Sequence, residues 1–301
     1  SLGGTQSNGW VTPMMPNYLG PFHLSRGISL ELVEKQAELQ PPGDVLHGEV
    51  WYDPIMLALV MDRVATEAGV TRLYNASVSD VLVENGRVVA IEVLARGGRF
   101  WVHGRCFVDA SGDGELSRLA GAQMMGGNDD GVHQPMTLRF FMGGVDINAM
   151  RSQMTEVWWS NTHEHVETGT GDASSHKVFG PMVAQAILDG VLEQDDLGYF
   201  QIFTMNGRPG ELAFNCPRVA GLDPTDPFEL SVAYQVGREK VYRIGQFMKR
   251  YWPGCQNAYV SGIAPLIGIR ESRRVVGEYV LTADDHQACR KFPDTIARNN
   301  Y

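Results

Sequence analysis

No apolar run in this sequence approaches the ~18–20 residues that a helix needs to cross a bilayer, so the chain reads as soluble. Cysteine is scarce: Cys106, Cys216, Cys255 and Cys289 lie far apart and form no C-x-x-C pair. That excludes zinc-ribbon and thioredoxin-type readings, and it predicts buried free thiols in a reducing compartment, the cytoplasm. Cations are in deficit, with 25 Lys and Arg against 35 Asp and Glu. The resulting formal net charge of −10 argues against a nucleic-acid surface, which needs clustered Lys and Arg. There is no initiator methionine, no signal peptide and no closing element after Arg298-Asn299-Asn300-Tyr301. These three absences predict a piece of a longer polypeptide.

What is present is ordinary globular composition, 44% hydrophobic and 20% charged, with 34 glycines that imply many tight turns. At 301 residues the chain exceeds one usual core, so two connected domains are expected. Residues 1–28 are rich in Gly, Pro, Asn and Met without a period, and a loop of that length tends to line a site. A weakly helical piece follows near Leu30–Leu39. In DPIMLALVMDRVATEAG, Asp53 is an N-cap, Pro54 opens a helix and Gly69 stops it. Leu57, Val60, Met61, Val64 and Ala68 form its apolar face. Asn85-Gly86 and Gly97-Gly98 then mark the hairpins of a three-stranded antiparallel meander.

The run Cys106–Ala110 is apolar without alternation, which predicts a strand covered on both faces in a parallel sheet. Ligands of open α/β sheets bind beyond the carboxyl ends of such strands, where Ala110-Ser111-Gly112-Asp113 sits. Gly112 and Gly114 have the spacing of G-x-G-x-x-G, but Ser117 takes the third position and the helical piece stops at Gly121. Asp113 and Glu115 would also repel a pyrophosphate at the helix start. Two readings stay open. Ser111 and Asp113 accept hydrogen bonds from neutral hydroxyls while the glycines admit a ligand, or the segment is a capped turn in which Asp113 satisfies backbone amides.

Further along, Met136–Met142, Tyr199–Thr204 and Glu211–Phe214 read as strands. Asp226-Pro227 opens a long helix, with Phe228, Val232, Val236, Phe247, Met248 and Tyr251 among its apolar positions, and Pro253-Gly254 stops it.

Four motifs occur in one order: GGTQSNGWV at 3–11, the Asp-Pro helix with its meander at 53–104, VDASGDGELSRLAGA at 108–122 and GIRESRRVVGEYVLT at 268–282. Together they resemble the FAD-dependent oxidoreductase family related to the fumarate reductase and succinate dehydrogenase flavoproteins. The resemblance is clear over 1–12, 48–122 and 262–301. It implies FAD as cofactor, a loop Gly3-Gly4-Thr5-Gln6 beside the flavin, a strand at Ala76–Val78 bordering the adenine, and Ala110-Ser111-Gly112-Asp113 passing over the cofactor. The family's N-terminal G-x-G-x-x-G unit and its C-terminal flavin-facing segment are missing, so the resemblance implies a central fragment that binds FAD poorly or not at all.

The expected fold is thus α/β: a partial FAD-binding, Rossmann-like domain with an antiparallel meander over 1–122, an inserted α+β substrate domain over 123–258, and a return segment over 259–301. Arg270, with Arg273 and Arg274, offers a guanidinium fork for a substrate carboxylate or for charge on reduced flavin, or else an ion-pair network with Glu271 and Glu278. His133 and His23 are candidate general bases by their intrinsic pKa. His163 and His165 stand at i and i+2, but no third ligand is evident and no metal site is expected. The expected partner is a small organic substrate, with a carboxylate-bearing one among the candidates, and the oligomeric state stays open. The competing readings are a cofactor-free binding or scaffold module on the same architecture, and a metal-dependent hydrolase.

Overall fold

Asp53 begins the best-defined local element. In a computed structural model its Oδ1 accepts from the Ile55 amide at 2.8 Å, and Pro54, which has no amide hydrogen to satisfy, occupies the first turn of the helix Pro54–Glu67. The structure describes residues 2–14, 18–19, 22–23, 27–39, 45–46, 49–161, 165–169, 171–205 and 207–295. Leu57 and Val60 are buried, while Ala68 at the end of the expected apolar face is exposed. The helix Ile28–Leu39 packs beside it and is tied to it by Lys35 Nζ to Glu67 Oε2 at 2.6 Å.

The meander forms as Ser77–Glu84, Arg87–Ala95 and Gly98–His103. Its first turn has positive φ at both Asn85 (50°) and Gly86 (74°), the backbone that a two-residue hairpin needs. The chain then leaves the sheet. Cys106–Ala110 is not a strand, and Val108 is 84% exposed. No strand lies alongside this run among the described residues, so its amides and carbonyls have no ladder to join. The α/β expectation holds as a mixture of helix and sheet. The parallel, doubly covered strand does not, because every described pairing is antiparallel.

The larger core lies between the long helix and a six-stranded sheet. The strands stand in the order Trp158–Asn161, Val166–Thr168, Ile202–Thr204, Leu212–Phe214, Phe140–Gly143, Tyr259–Ile263. Phe140 and Phe214 stack at 4.2 Å on the helix side. The helix runs Pro227–Tyr251, capped by Asp226 Oδ1 on the amides of Phe228 and Glu229. Its buried face is Ala233, Gly237, Val241, Ile244, Phe247 and Met248, whereas Phe228 and Val232 face solvent. Phe141, Phe203 and Ala213 point to the opposite face of the sheet, where they meet Trp10 and Trp51. Cys216 and Cys255 are buried as expected; Cys106 and Cys289 are exposed, against expectation, because both lie on irregular surface segments. Among the described residues no helix is long and apolar enough to cross a membrane.

Candidate functional site

The turn at 109–117 folds around one carboxylate. Asp109 Oδ1 accepts from the amide (3.1 Å) and hydroxyl (2.7 Å) of Ser111, and Oδ2 from the amide (2.9 Å) and hydroxyl (2.8 Å) of Ser117. Burial works to raise the pKa of Asp109, but these bonds outweigh it and hold the carboxyl at about 2. Ser111 Oγ accepts from the Glu115 amide at 3.1 Å, satisfying a donor at the start of the short helix Glu115–Leu119. Capping of this turn therefore belongs to Asp109 and Ser111 rather than to Asp113. The Asp113 carboxylate faces away and accepts from Ser272 Oγ at 2.5 Å.

That contact joins two motifs far apart in sequence. Arg274–Val275 pairs antiparallel with Met124–Met125, and Arg273 reaches Glu115 at 3.5 Å. Gly114, at φ +63°, holds a backbone that L side chains rarely adopt, and a Cβ there would lie 2.7 Å from Met124 Cε and push that side chain aside. Gly112, at φ +85°, is open: a Cβ would meet no heavy atom within 4 Å. Ala110, Ser111 and Gly112 are exposed, and a cleft of about 670 Å³ beside them is lined by Arg87, Cys106, Phe107, Asp109, Ser117 and Val275, among others. The short helix packs against the strand that begins at Ser77, so Ala76 and Val78, both half-buried, lie at the start of a neighbouring strand.

The loop GGTQSNGW forms consecutive tight turns, with Gln6 donating to the Gly3 carbonyl and Asn8 to that of Gly4, both at 2.9 Å. Gly3, Gly4 and Thr5 are exposed and Gln6 is half-buried. Gly4 is as open as Gly112, whereas a Cβ on Gly3 would strike Met61. The Leu266 amide donates to the Asn8 carbonyl at 3.1 Å, and the Trp10 ring stacks on Phe141 at 4.2 Å and 13°. The loop is thereby fastened both to the segment leading into GIRESRR and to the apolar face of the sheet.

Arg270 is exposed and donates from Nε to Gln134 Oε1 at 3.2 Å, while Gln134 donates to Glu271 at 3.0 Å. Glu271 also pairs with Arg274 at 3.2 Å, so part of the expected ion-pair network exists. His133 is half-buried between Asp223 (3.4 Å from Nε2) and Glu271 (3.9 Å from Nδ1). It thus lies one residue from the partner of Arg270. His23 lies in a two-residue strand, and its side chain is outside the described residues, as is His163. His165 is buried in the sheet, with Nδ1 3.1 Å from Thr204 Oγ1.

Sequence reasoning passed over Arg139, inside the apolar run MTLRFFMGG. The residue is only 8% exposed, and burial lowers its pKa to about 10. A charged residue in a run otherwise fit for a sheet interior was the available signal.

A family model described as FAD dependent oxidoreductase matches residues 1–301. The chain belongs to that family. The name of this family states its cofactor, FAD, and its class of chemistry, oxidation and reduction. No curated protein matches the chain. Among solved structures it is similar to the flavin-dependent brominase Bmp2, at 16% identity over 81% of this chain and 57% of that one, with a TM-score of 0.41. It is also similar to p-nitrophenol 4-monooxygenase PnpA from Pseudomonas putida DLL-E4, at 10% identity over 73% and 43% (TM-score 0.39). The myxobacterial chondrochloren halogenase CndH is 14% identical over 77% and 43% (TM-score 0.41). The chain spans about half the length of these structures.

Proposed function

We propose that this chain forms flavin-facing and substrate-facing walls of an FAD-dependent oxidoreductase acting on a small organic substrate by hydride transfer. The observation that carries the reading is the match of the family model over residues 1–301. The motif order Gly3–Val11, Asp53–Gly104, Val108–Ala122 and Gly268–Thr282 supports a finer relation to the fumarate reductase and succinate dehydrogenase flavoproteins.

The residues fit part of the cofactor. Gly4 and Gly112 each hold a positive φ with open space where a side chain would be, which suits close approach of a flat ring or a hydroxylated chain to main chain. They do not suit its pyrophosphate, because Asp113 and Glu115 put two carboxylates at the start of a five-residue helix. In this reading Gly3, Gly4, Thr5 and Gln6 line one side, Ala110, Ser111, Gly112 and Asp113 another, and Ala76 and Val78 border the adenine. FAD, when bound, supplies the two-electron chemistry, and the protein binds, orients and sets the local field. Arg270 positions an anionic group; His133 and His23 are the candidates for holding a proton. Residues 1–122 and 259–301 serve the cofactor and 123–258 the substrate.

The test is the visible spectrum of the purified protein in the form its gene encodes. Flavin bands that bleach with dithionite, and FAD released on denaturation, support the reading. A colourless protein that takes up no FAD overturns it.

A further inference from the structure

Three segments far apart in sequence meet at His133: its own loop 126–134, the loop 221–226 that leads into the long helix, and the stretch 268–275. Its own loop is fixed by Asn128, whose Oδ1 accepts from the amides of Asp130 (3.0 Å) and Val132 (2.9 Å). The imidazole rests on Gly126, where a Cβ would lie 3.2 Å from its Cε1. The side chain is only 9% exposed, with Nε2 3.4 Å from Asp223 Oδ1 and Nδ1 3.9 Å from Glu271 Oε1. Among the described residues no other basic side chain lies within 4.0 Å of both carboxylates.

Each carboxylate is held by its own segment. Asp223 Oδ1 accepts from the Thr225 amide at 2.7 Å, and the Asp223 amide donates to Glu229 in the first turn of the long helix. Glu271 Oε2 accepts from Gln134 at 3.0 Å, and Oε1 lies 3.2 Å from Arg274 Nη1. The Thr225 amide above all holds the Asp223 carboxyl below the usual carboxylate range, and the Gln134 amide does the same for Glu271. Both are therefore ionised throughout about pH 5–8, the interval in which imidazole changes charge. The other charges around the ring are Arg270 on Gln134, Arg274 on Glu271, and Arg273, which lies 3.5 Å from Glu115 and acts on Asp223. Asp129 and Asp130 stand exposed in the same loop. Neither arginine nor aspartate changes charge in that interval.

A neutral imidazole has one N–H and one lone pair, so between two carboxylates it turns the lone pair toward an anion; an imidazolium donates from both nitrogens. We propose that His133 is a proton-operated latch. Charged, it bridges Asp223 and Glu271 and docks the stretch 270–275 on the loop before the long helix; neutral, it lets go of one of them. Docking is complete at low pH and is lost as pH rises through the imidazole range. The effect reaches the turn that carries Gly112, because Ser272 donates to Asp113 and Arg273 pairs with Glu115. Gly268 is tied separately, by its amide on the Thr137 carbonyl at 2.8 Å, so the loosening is confined to the residues that follow it. The latch goes beyond the oxidoreductase reading and needs no cofactor to operate.

The experiment is hydrogen–deuterium exchange of the whole protein at about pH 5.5 and about pH 8, with rates corrected for the intrinsic pH dependence of exchange. Peptides covering 270–276 are expected to exchange about fivefold faster at the higher pH, the scale of an ion pair with one half-exposed partner, while the meander keeps a single corrected rate. In His133→Gln the stretch is expected to exchange at the faster rate at both pH values. Asp223→Asn, which keeps an acceptor for the Thr225 amide, is expected to lose most of the pH difference, and His103→Gln, on the exposed meander, to retain it. If His133→Gln does not fold, Asp223→Asn decides. One corrected rate for 270–276 at both pH values overturns the latch, and so does a pH difference that persists in Asp223→Asn or in a folded His133→Gln. A difference spread equally over the meander overturns it too, since it would belong to the whole molecule.

Discussion

Asp109 shows how one side chain organises the turn that carries Gly112. Its oxygens accept from two amides and two hydroxyls, and each bond favours the ionised form. A folded-state pKa of about 2, below the ordinary carboxylate value of about 3.9, means that Asp109 stabilises the fold fully above about pH 4. That contribution is lost as pH falls through about 2. Partial exposure screens it, so about 1–2 kcal/mol is a fair magnitude. Asp109→Asn keeps one acceptor but turns an amide donor toward a serine amide. We expect urea unfolding at pH 7 to show a loss of that size, with the gap from wild type narrowing between pH 4 and pH 2. A gap that stays constant across that range would contradict the assignment.

At the scale of elements, the long helix and the sheet meet through glycine. A Cβ on Gly237 would lie 2.9 Å from Leu138 Cδ2 and 3.1 Å from its Cβ. Helix propensity alone predicts that Gly237→Ala stabilises by about 1 kcal/mol. Overpacking costs about 1–3 kcal/mol, and Leu138 is fully buried between the strands Met136–Thr137 and Phe140–Gly143, with its amide bonded to the Pro217 carbonyl. The clash wins, so the melting temperature should fall; a rise would show that the helix shifts freely on the sheet. Both ends of this helix were legible because an Asp-Pro start and a Pro-Gly stop act within a few residues. Its buried face was read less well, since Phe228 and Val232 follow the apolar pattern yet face solvent.

At the scale of the molecule, the N-terminal loop is held by one aromatic. Trp10 stacks on Phe141 and fills the space over Gly262, where a Cβ would come within 2.8 Å of the ring. Trp10→Ala should cost about 2–3 kcal/mol, the lower range for a partly buried aromatic. It should also open residues 2–12 to limited proteolysis while leaving the meander resistant. Equal resistance in both proteins would mean that the loop is held instead by the Leu266 amide on the Asn8 carbonyl and by Tyr52, whose hydroxyl and amide donate to the carbonyls of Val11 and Thr12. The same tie places Gly4 on a fixed part of the molecule, which a cofactor wall requires.

The amino-acid order alone determined what depends on neighbours within a turn or two: the Asp53 and Asp226 caps, the Asn85-Gly86 hairpin, and the four motifs that resemble a flavoprotein. It also marked Asp113 and Arg270 as residues of interest. Tertiary structure decided the rest. Cys106–Ala110 has strand composition, but a strand exists only where another supplies hydrogen bonds, and that partner is not encoded in the run itself. The contact of Asp113 with Ser272, the placement of His133 between two carboxylates, and the lack of an acid beside Arg139 among the described residues all depend on segments far apart along the chain. Burial and counter-charge belong to a three-dimensional neighbourhood, so a lone arginine in an apolar run acquires its meaning only once the sheet is assembled.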